Sequence, residues 1–287
     1  MSAKKDTIGF TIFVYAVLFF FVLLVLIPVI WVISTAFRPT QTLTDTDGSV
    51  WPAEPTFKNF RYILTEGPRN ADGSLAFYTW LKNSLICAAG TTLLGLVLST
   101  TAAYAFSRFQ FALKKPGLMA FVIVQMFPGA IIIIPYYNLM QALGLIDSLP
   151  GLILAYSVTS LPLCVWTMKG FFDKIPYELE EAAAIDGCSQ FGIFWRIILP
   201  LSKPGLAVTA LFSFMSSWNE FMLALTFNSS GYNYTLPVGI TSFISGNHTD
   251  WANFAAMSVL VSIPVVFMFI LFQKYLISGL TAGSVKG

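Results

Sequence analysis

A chain of 287 residues that is 56% hydrophobic and only 10% charged, with 27 Phe, is too apolar and too poor in charge for a soluble globular domain. Its composition is that of a polytopic membrane protein, and a net charge of +2 gives no footing for nucleic acid. Cys87, Cys164 and Cys188 have neither disulfide nor metal-ligand spacing. The first two fall in apolar runs, where a thiol packs as a small hydrophobe.

In chain order, Lys4-Lys5 precede an apolar run from Ile8 to Phe37. That run is about twice as long as a signal-peptide core and no small-x-small cleavage site follows it, so it is expected to be a retained first span. Five more runs, at about 83–107, 117–139, 150–171, 204–227 and 255–278, are long enough to cross the hydrocarbon core. The expected fold class is therefore all-α integral membrane, with six transmembrane helices in a single domain over 1–287. A polar connection at 38–80 separates the first two spans, and Pro39, Pro52, Pro55 and Pro68 make it irregular in part. A short turn around Gly144 to Ser148 joins the third and fourth spans.

Thr91, Gly95, Ser99 and Ala103 recur every four residues along the second span, a small-residue stripe that lets another helix backbone approach. Pro128, Pro135, Pro162 and Pro264 lie inside spans, where each removes a helix hydrogen bond and permits a kink.

The basic residues set the expected orientation. With both termini inside, Lys4, Lys5, Arg108, Lys114, Lys115, Lys169, Lys174, Arg196, Lys203, Lys274 and Lys286 share one side. Arg38, Lys58, Arg61, Arg69 and Lys82 fall on the other, so the N- and C-termini and the 172–203 loop are expected in the cytoplasm, with 38–80 outside. Sequons at Asn228, Asn233 and Asn247 matter only in a glycosylating pathway, and chance is the simpler explanation.

The 172–203 loop carries helix signals of its own. Pro176 suits a first turn, and Glu178, Glu180 and Glu181 set negative charge against the positive end of the dipole. Ala182 to Ala184 continue the helix and Gly187 can end it in a left-handed conformation. Ser189 can cap a second helix through Ile198, closed by Pro200, with Phe191, Phe194, Trp195 and Ile198 forming an apolar face. Such a hairpin either docks into a groove on a partner, with Glu181 as a charged contact at the rim, or lies on lipid headgroups.

The spacing Glu181-Ala182-Ala183, three residues, Gly187, nine residues, Ile197-x-Leu199-Pro200 resembles the EAA motif of permease subunits of ATP-binding-cassette importers. Asp186 and Pro204-Gly205 fit the same family. Ala103 to Arg108, Ser217-Trp218-Asn219-Glu220-Phe221 and the ending Gly279 to Gly287 resemble its carbohydrate importers, of the maltose and maltodextrin type. The resemblance runs over nearly the whole chain. It implies the type I importer permease fold, with Glu181, Ala182, Ala183, Asp186 and Gly187 seated in a cytoplasmic ATPase. It also implies a second, MalF-like permease, a homodimeric ATPase that holds ATP and Mg, an external sugar-binding protein, and a bacterial or archaeal cytoplasmic membrane. The tail residues Ser284, Val285, Lys286 and Gly287 would reach the ATPase interface, unless they are simply a frayed polar end.

Glu220 is the only acid well inside an expected span and must face protein or water. Ser213, Ser216, Ser217 and Glu220 share one side of that helix, with Thr209 a turn earlier, and Trp218 and Asn219 precede Glu220 in sequence as further path candidates. This stripe lines a sugar path, with Trp218 as a stacking platform, or it forms a hydrogen-bonded seam with the partner permease.

Other classes fit less well. The single histidine, His248, has no catalytic partners; no HExxH, paired intramembrane carboxylates or metal-ligand cluster accompanies it, so no catalytic or metal residue is expected. A proton-coupled carrier commonly uses several buried acids, and Glu220 stands nearly alone. There is no GxxxxGK[ST], so ATP hydrolysis is expected on a partner and no cofactor on this chain.

Overall fold

The computed structural model describes residues 8–40, 49–246 and 248–281. In chain order it contains α1 (Ile8–Ala36), α2 (Lys58–Arg61, continuing as a π turn through Glu66), α3 (Ala76–Arg108), α4 (Lys114–Met126), α5 (Gly129–Ala142), α6 (Leu149–Phe172) and α7 (Glu178–Ile185). Then follow α8 (Gln190–Ile193), which runs through a π turn into α9 (Leu199–Leu201), α10 (Lys203–Trp218), α11 (Met222–Phe227) and α12 (Leu236–Gly239). A two-residue antiparallel pair, β1 (Ile244–Ser245) with β2 (His248–Thr249), precedes α13 (Trp251–Thr281).

Among the described residues four helices, α1, α3, α6 and α13, are long and apolar enough to cross a bilayer. The number reaches six if each of two bent pairs counts as one span: α4 with α5, at 105°, and the Gln190–Leu201 run with α10, at 79°. The third expected span is thus broken at Pro128. Phe127 is driven to an extended conformation (ψ 130°), as the residue before a proline prefers, and α4 ends there. Pro135, Pro162 and Pro264 stay within continuous helices. The fifth expected span, 204–227, is not one helix either, since α10 stops at Trp218 and α11 starts at Met222. The break coincides with the polar residues Ser216, Ser217, Asn219 and Glu220, which interrupt the apolar run. In the other direction, α3 begins at Ala76, inside the connection expected to be irregular.

The chain divides into two compact units. The first comprises Met1–Pro68 and Ile240–Ser262. Its α1 is apolar all round, and is buried only at Ser34, Thr35 and Ala36. Beyond α1, the buried Asn59 amide donates to the carbonyls of Ala36 (2.9 Å) and Arg38 (2.8 Å), so one side chain satisfies two orphan acceptors past the helix end. Phe37 makes ring contacts with Trp51, Phe57 and Phe60 at 5.1 to 5.7 Å.

The second unit comprises Arg69–Gly239 and Ile263–Gly287, and α3, α6 and α10 pack together at its centre. The small-residue stripe explains how: Thr91, Gly95, Ser99 and Ala103 are all buried, and Ser213 on α10 donates to the Thr91 carbonyl at 3.3 Å. One core cluster joins Cys87, Leu152, Tyr156, Leu223 and Phe227. A second joins Ala103, Tyr104, Met168 and Phe172 to Ala183, Ile193, Phe194 and Ile198 of the hairpin. Cys87 and Cys164 are buried and free, packed as apolar residues.

At the turn between α5 and α6, Gly144 (φ +67°) and Asp147 (φ +55°) reverse the chain and Ser148 caps α6, accepting from the Gly151 amide at 3.2 Å. The Asp147 carboxylate accepts from the Ser229 and Ser230 amides at 3.2 Å and the Ser230 hydroxyl at 3.1 Å. Asn233 donates to the Asp147 carbonyl at 2.6 Å. Burial raises the Asp147 pKa, but the hydrogen bonds centred on Ser230 outweigh it and leave the carboxyl below its ordinary value.

Candidate functional site

The hairpin of α7 and the α8–α9 run is built largely from local signals. Pro176 lies two residues ahead of α7, whose first turn holds Glu178, Glu180 and Glu181. At its other end the Cys188 amide bonds to the Ala183 carbonyl (2.9 Å) and the Gly187 amide to that of Ala184 (3.0 Å), with Gly187 at φ +85°. This is the Schellman arrangement, and it needs the left-handed residue that glycine supplies. Ser189 caps α8, its hydroxyl accepting from the Gly192 amide at 3.2 Å.

Pro200 does not close the second helix. The turn ahead of it widens to π geometry, with the Leu199 amide bonded to the Phe194 carbonyl, and helical structure continues to Leu201. The widened turn accommodates the residue that has no N–H of its own. The chain bends at Ser202 instead.

The hairpin has an inner and an outer face. Ala183, Ile193, Phe194 and Ile198 enter the core beside Met168 and Phe172. Glu181, Ala182, Asp186 and Gly187 are exposed, together with Leu179, Phe191, Trp195 and Ile185, the last 87% accessible. The single apolar face expected of the second helix is therefore two stripes: Phe194 and Ile198 turn inward, while Phe191 and Trp195 turn outward with rings 6.0 Å apart. Of the five EAA-region residues, four lie on the outer face and Ala183 anchors the inner one.

What holds the hairpin was not read from the sequence. Arg108, the last residue of α3, forms an ion pair through Nε with Glu180 Oε1, and both side chains are only 8% exposed. A second guanidinium nitrogen donates to the Ile175 carbonyl at 2.9 Å and the third to Ser107 Oγ at 3.2 Å. The Tyr104 hydroxyl donates to the other Glu180 oxygen at 3.0 Å, and the Tyr177 ring lies 5.6 Å from the guanidinium. Ser107 in turn donates to Asp173 (2.6 Å), which pairs with Lys169 (2.6 Å). Burial works against the Asp173 charge, yet the bonds from Lys169 and Ser107 prevail and hold its carboxyl below the usual value. Glu180 was legible only as a helix-dipole charge. The faint signal was a lone arginine ending an apolar helix, with three acids to choose from.

The polar stripe on α10 does not line an open path as it stands. Ser213 and Ser217 are buried, and Ser213 faces α3 of the same chain, so the seam is internal. Trp218 is buried with its ring stacked on Phe214 at 5.4 Å, which leaves no free indole face for a sugar. Asn219 lies in the break and donates to the Met215 carbonyl at 2.9 Å. Glu220, in the same break, accepts from the amides of Leu223 (2.9 Å) and Ala224 (3.1 Å), so it caps α11. The cost of an acid at this depth is offset by backbone donors that the break frees. One edge of the carboxylate also faces a cavity of about 310 Å³ lined by Gly129, Ala130, Tyr136, Thr159 and Leu223, at the elbow of α4 and α5. The tail positions Ser284 to Gly287 lie outside the described residues.

A helical membrane fold with two broken spans and a hairpin presented on a buried anchor is that of an importer permease. The backbone matches the crystal structure of a bacterial ABC transporter that imports the acidic polysaccharide alginate, with a TM-score of 0.78 at 22% identity over 96% of this chain and 99% of that one. Residues 95–281 match the family described as binding-protein-dependent transport system inner membrane component, and the chain belongs to that family. Among curated relatives it is 38% identical to the galactooligosaccharides transport permease GanQ of Bacillus subtilis (96% of this chain, 95% of the relative). It is 36% identical to the trehalose permease SugB of Mycobacterium tuberculosis (91% and 93%) and 37% identical to the maltose/maltodextrin permease MalG of Vibrio vulnificus (93% and 93%).

Proposed function

We propose that this chain is one of two permease subunits of an ATP-driven sugar importer, forming half of the pathway by which a di- or oligosaccharide crosses the cytoplasmic membrane. A maltodextrin-type sugar is the first candidate, and trehalose or a galactooligosaccharide the next; the relatives' named substrates support the class and differ within it. The partners are a MalF-like permease, a homodimeric ATPase carrying ATP and Mg, and an external sugar-binding protein. Both termini and the hairpin face the cytoplasm, as the distribution of Lys and Arg favours.

The observation that carries this reading is the outer face of the hairpin. A membrane protein that leaves Ile185, Phe191 and Trp195 uncovered around Glu181 and Ala182, on a helix anchored from beneath, presents a shaped knob to another protein. Closure of the ATPase dimer moves this knob, and the broken spans at Pro128 and Asn219–Phe221 switch the access of the pathway. Of the α10-end residues Glu220 belongs to the wall of that pathway, since it lines the cavity at the elbow of α4 and α5, while Ser213, Ser217 and Trp218 back it from the core and Asn219 lies in the break beside it. Ser284 to Gly287 add a second contact with the ATPase.

The test is reconstitution of the permease pair with its ATPase and binding protein in liposomes. Uptake of a labelled sugar that requires ATP and the binding protein is expected, and Glu181→Lys abolishes it while the chain still inserts. Normal uptake by that variant removes the docking role, and uptake that follows an ion gradient without ATP removes the importer reading.

A further inference from the structure

Arg108 and Glu180 do more than fill a buried site. Arg108 ends α3, whereas Glu180 lies on α7, one residue before the outward-facing Glu181. The guanidinium spends its three nitrogens on three separate pieces of chain: Glu180 on α7, the Ile175 carbonyl in the α6–α7 connection, and Ser107 on α3 itself. Tyr104, one turn back along α3, engages the second Glu180 oxygen, so the carboxylate is gripped on both sides by the same helix. Four residues of α7 contribute little else to the interior, because Glu181, Ala182, Ala184 and Ile185 are all exposed.

We propose that Arg108 and Glu180 are positioning residues that clasp the hairpin to the end of α3, so that the hairpin and α3 move as one body. The small-residue stripe of α3 also receives α10, which begins where the hairpin's second limb ends at Ser202. Displacement of the hairpin by a partner therefore enters the helix bundle along α3 as well as through the covalent bend at Ser202. Without the clasp, the covalent connections and the apolar packing of Ala183, Ile193, Phe194 and Ile198 remain, and the outer face moves with less of the bundle behind it. This rests on the importer reading for its consequence, but not for the clasp itself.

Hydrogen exchange of the full chain in nanodiscs tests the clasp with no partner present. Glu180→Gln, which leaves the buried Arg108 charge without its partner, and Arg108→Lys, whose single ammonium cannot reproduce the contacts to Glu180, Ile175 and Ser107 together, are expected to speed exchange across 178–187 at least about tenfold. The double exchange Arg108→Glu with Glu180→Arg is expected to recover part of the protection. Unchanged exchange in both single variants overturns the clasp. In the reconstituted importer, Glu180→Gln should lower the ratio of sugar moved to ATP hydrolysed, normalised to ATPase bound; a mere loss of folded complex lowers both in proportion and leaves the ratio fixed. An unchanged ratio overturns the coupling role. A wild-type complex with no ATP-dependent uptake refutes the importer reading instead, and the exchange result still decides the clasp.

Discussion

The hydroxyl of Ser213 on α10 lies 2.8 Å from the point where a Cβ on Gly95 of α3 would sit. The two helices approach this closely because the facing positions are small, and the Ser213 hydroxyl spends its proton on the Thr91 carbonyl in the same contact. Gly95→Val should therefore destabilise the bundle by about 1–3 kcal/mol, the usual cost of overpacking. Thermal unfolding in detergent checks this. Ser213→Ala should relieve part of the penalty of Gly95→Ala, a coupling that two independent sites would not show.

Gly187 fails differently when replaced. Apart from its chain neighbours, no described atom lies within 4 Å of a Cβ built there, so space is free and only the backbone objects, at φ +85°. Gly187→Val should cost about 1–2 kcal/mol and Gly187→Asn less, since asparagine tolerates the left-handed region. Exchange of the Cys188 amide, which closes the turn onto Ala183, reports the loss.

Asp147 makes the fold sensitive to acid at the turn between α5 and α6. Its carboxyl sits below the ordinary 3.8 in the folded chain, so its contribution is complete above that value. It is lost as pH falls through the folded pKa. Asp147→Asn, which keeps the left-handed backbone, should lower the unfolding temperature at neutral pH and flatten its decline below about pH 4. A decline as steep as that of the parent chain would place the acid sensitivity elsewhere.

Glu220 is predicted to matter as a cap. Glu220→Ala removes both acceptors for Leu223 and Ala224, so those amides should exchange faster and uptake should fall while the ATPase remains bound. Glu220→Gln keeps one good acceptor and should restore most of both. If the glutamine variant loses uptake with its amides still protected, the charge itself serves the pathway.

Local chemistry explains which parts of the molecule were legible in the sequence. Gly187 and Ser189 act within four or five residues of themselves, and the structure has both in the expected roles. The stripe from Thr91 to Ala103 likewise declared its packing through side-chain size. The Arg108–Glu180 pair spans 72 residues and has no periodic signature, so nothing short of the folded chain distinguishes Glu180 from Glu178 or Glu181. Trp218 and Glu220 were legible as unusual residues but not in orientation. The polar residues around them mark the break, but neither composition nor spacing says that Trp218 turns into the core and Glu220 caps the next helix.

The exposure of α1 sets a condition on its surroundings. Its 29 residues extend about 43 Å at 1.5 Å per residue, against a hydrocarbon layer of about 30 Å. With burial confined to Ser34, Thr35 and Ala36, most of the helix gains nothing from fixed neighbours within its own unit. It must resolve that mismatch by leaning or by thickening the lipid around it. Bilayer thickness thus acts on α1 directly, and acyl-chain length becomes a handle on a helix that its own unit holds at one end only.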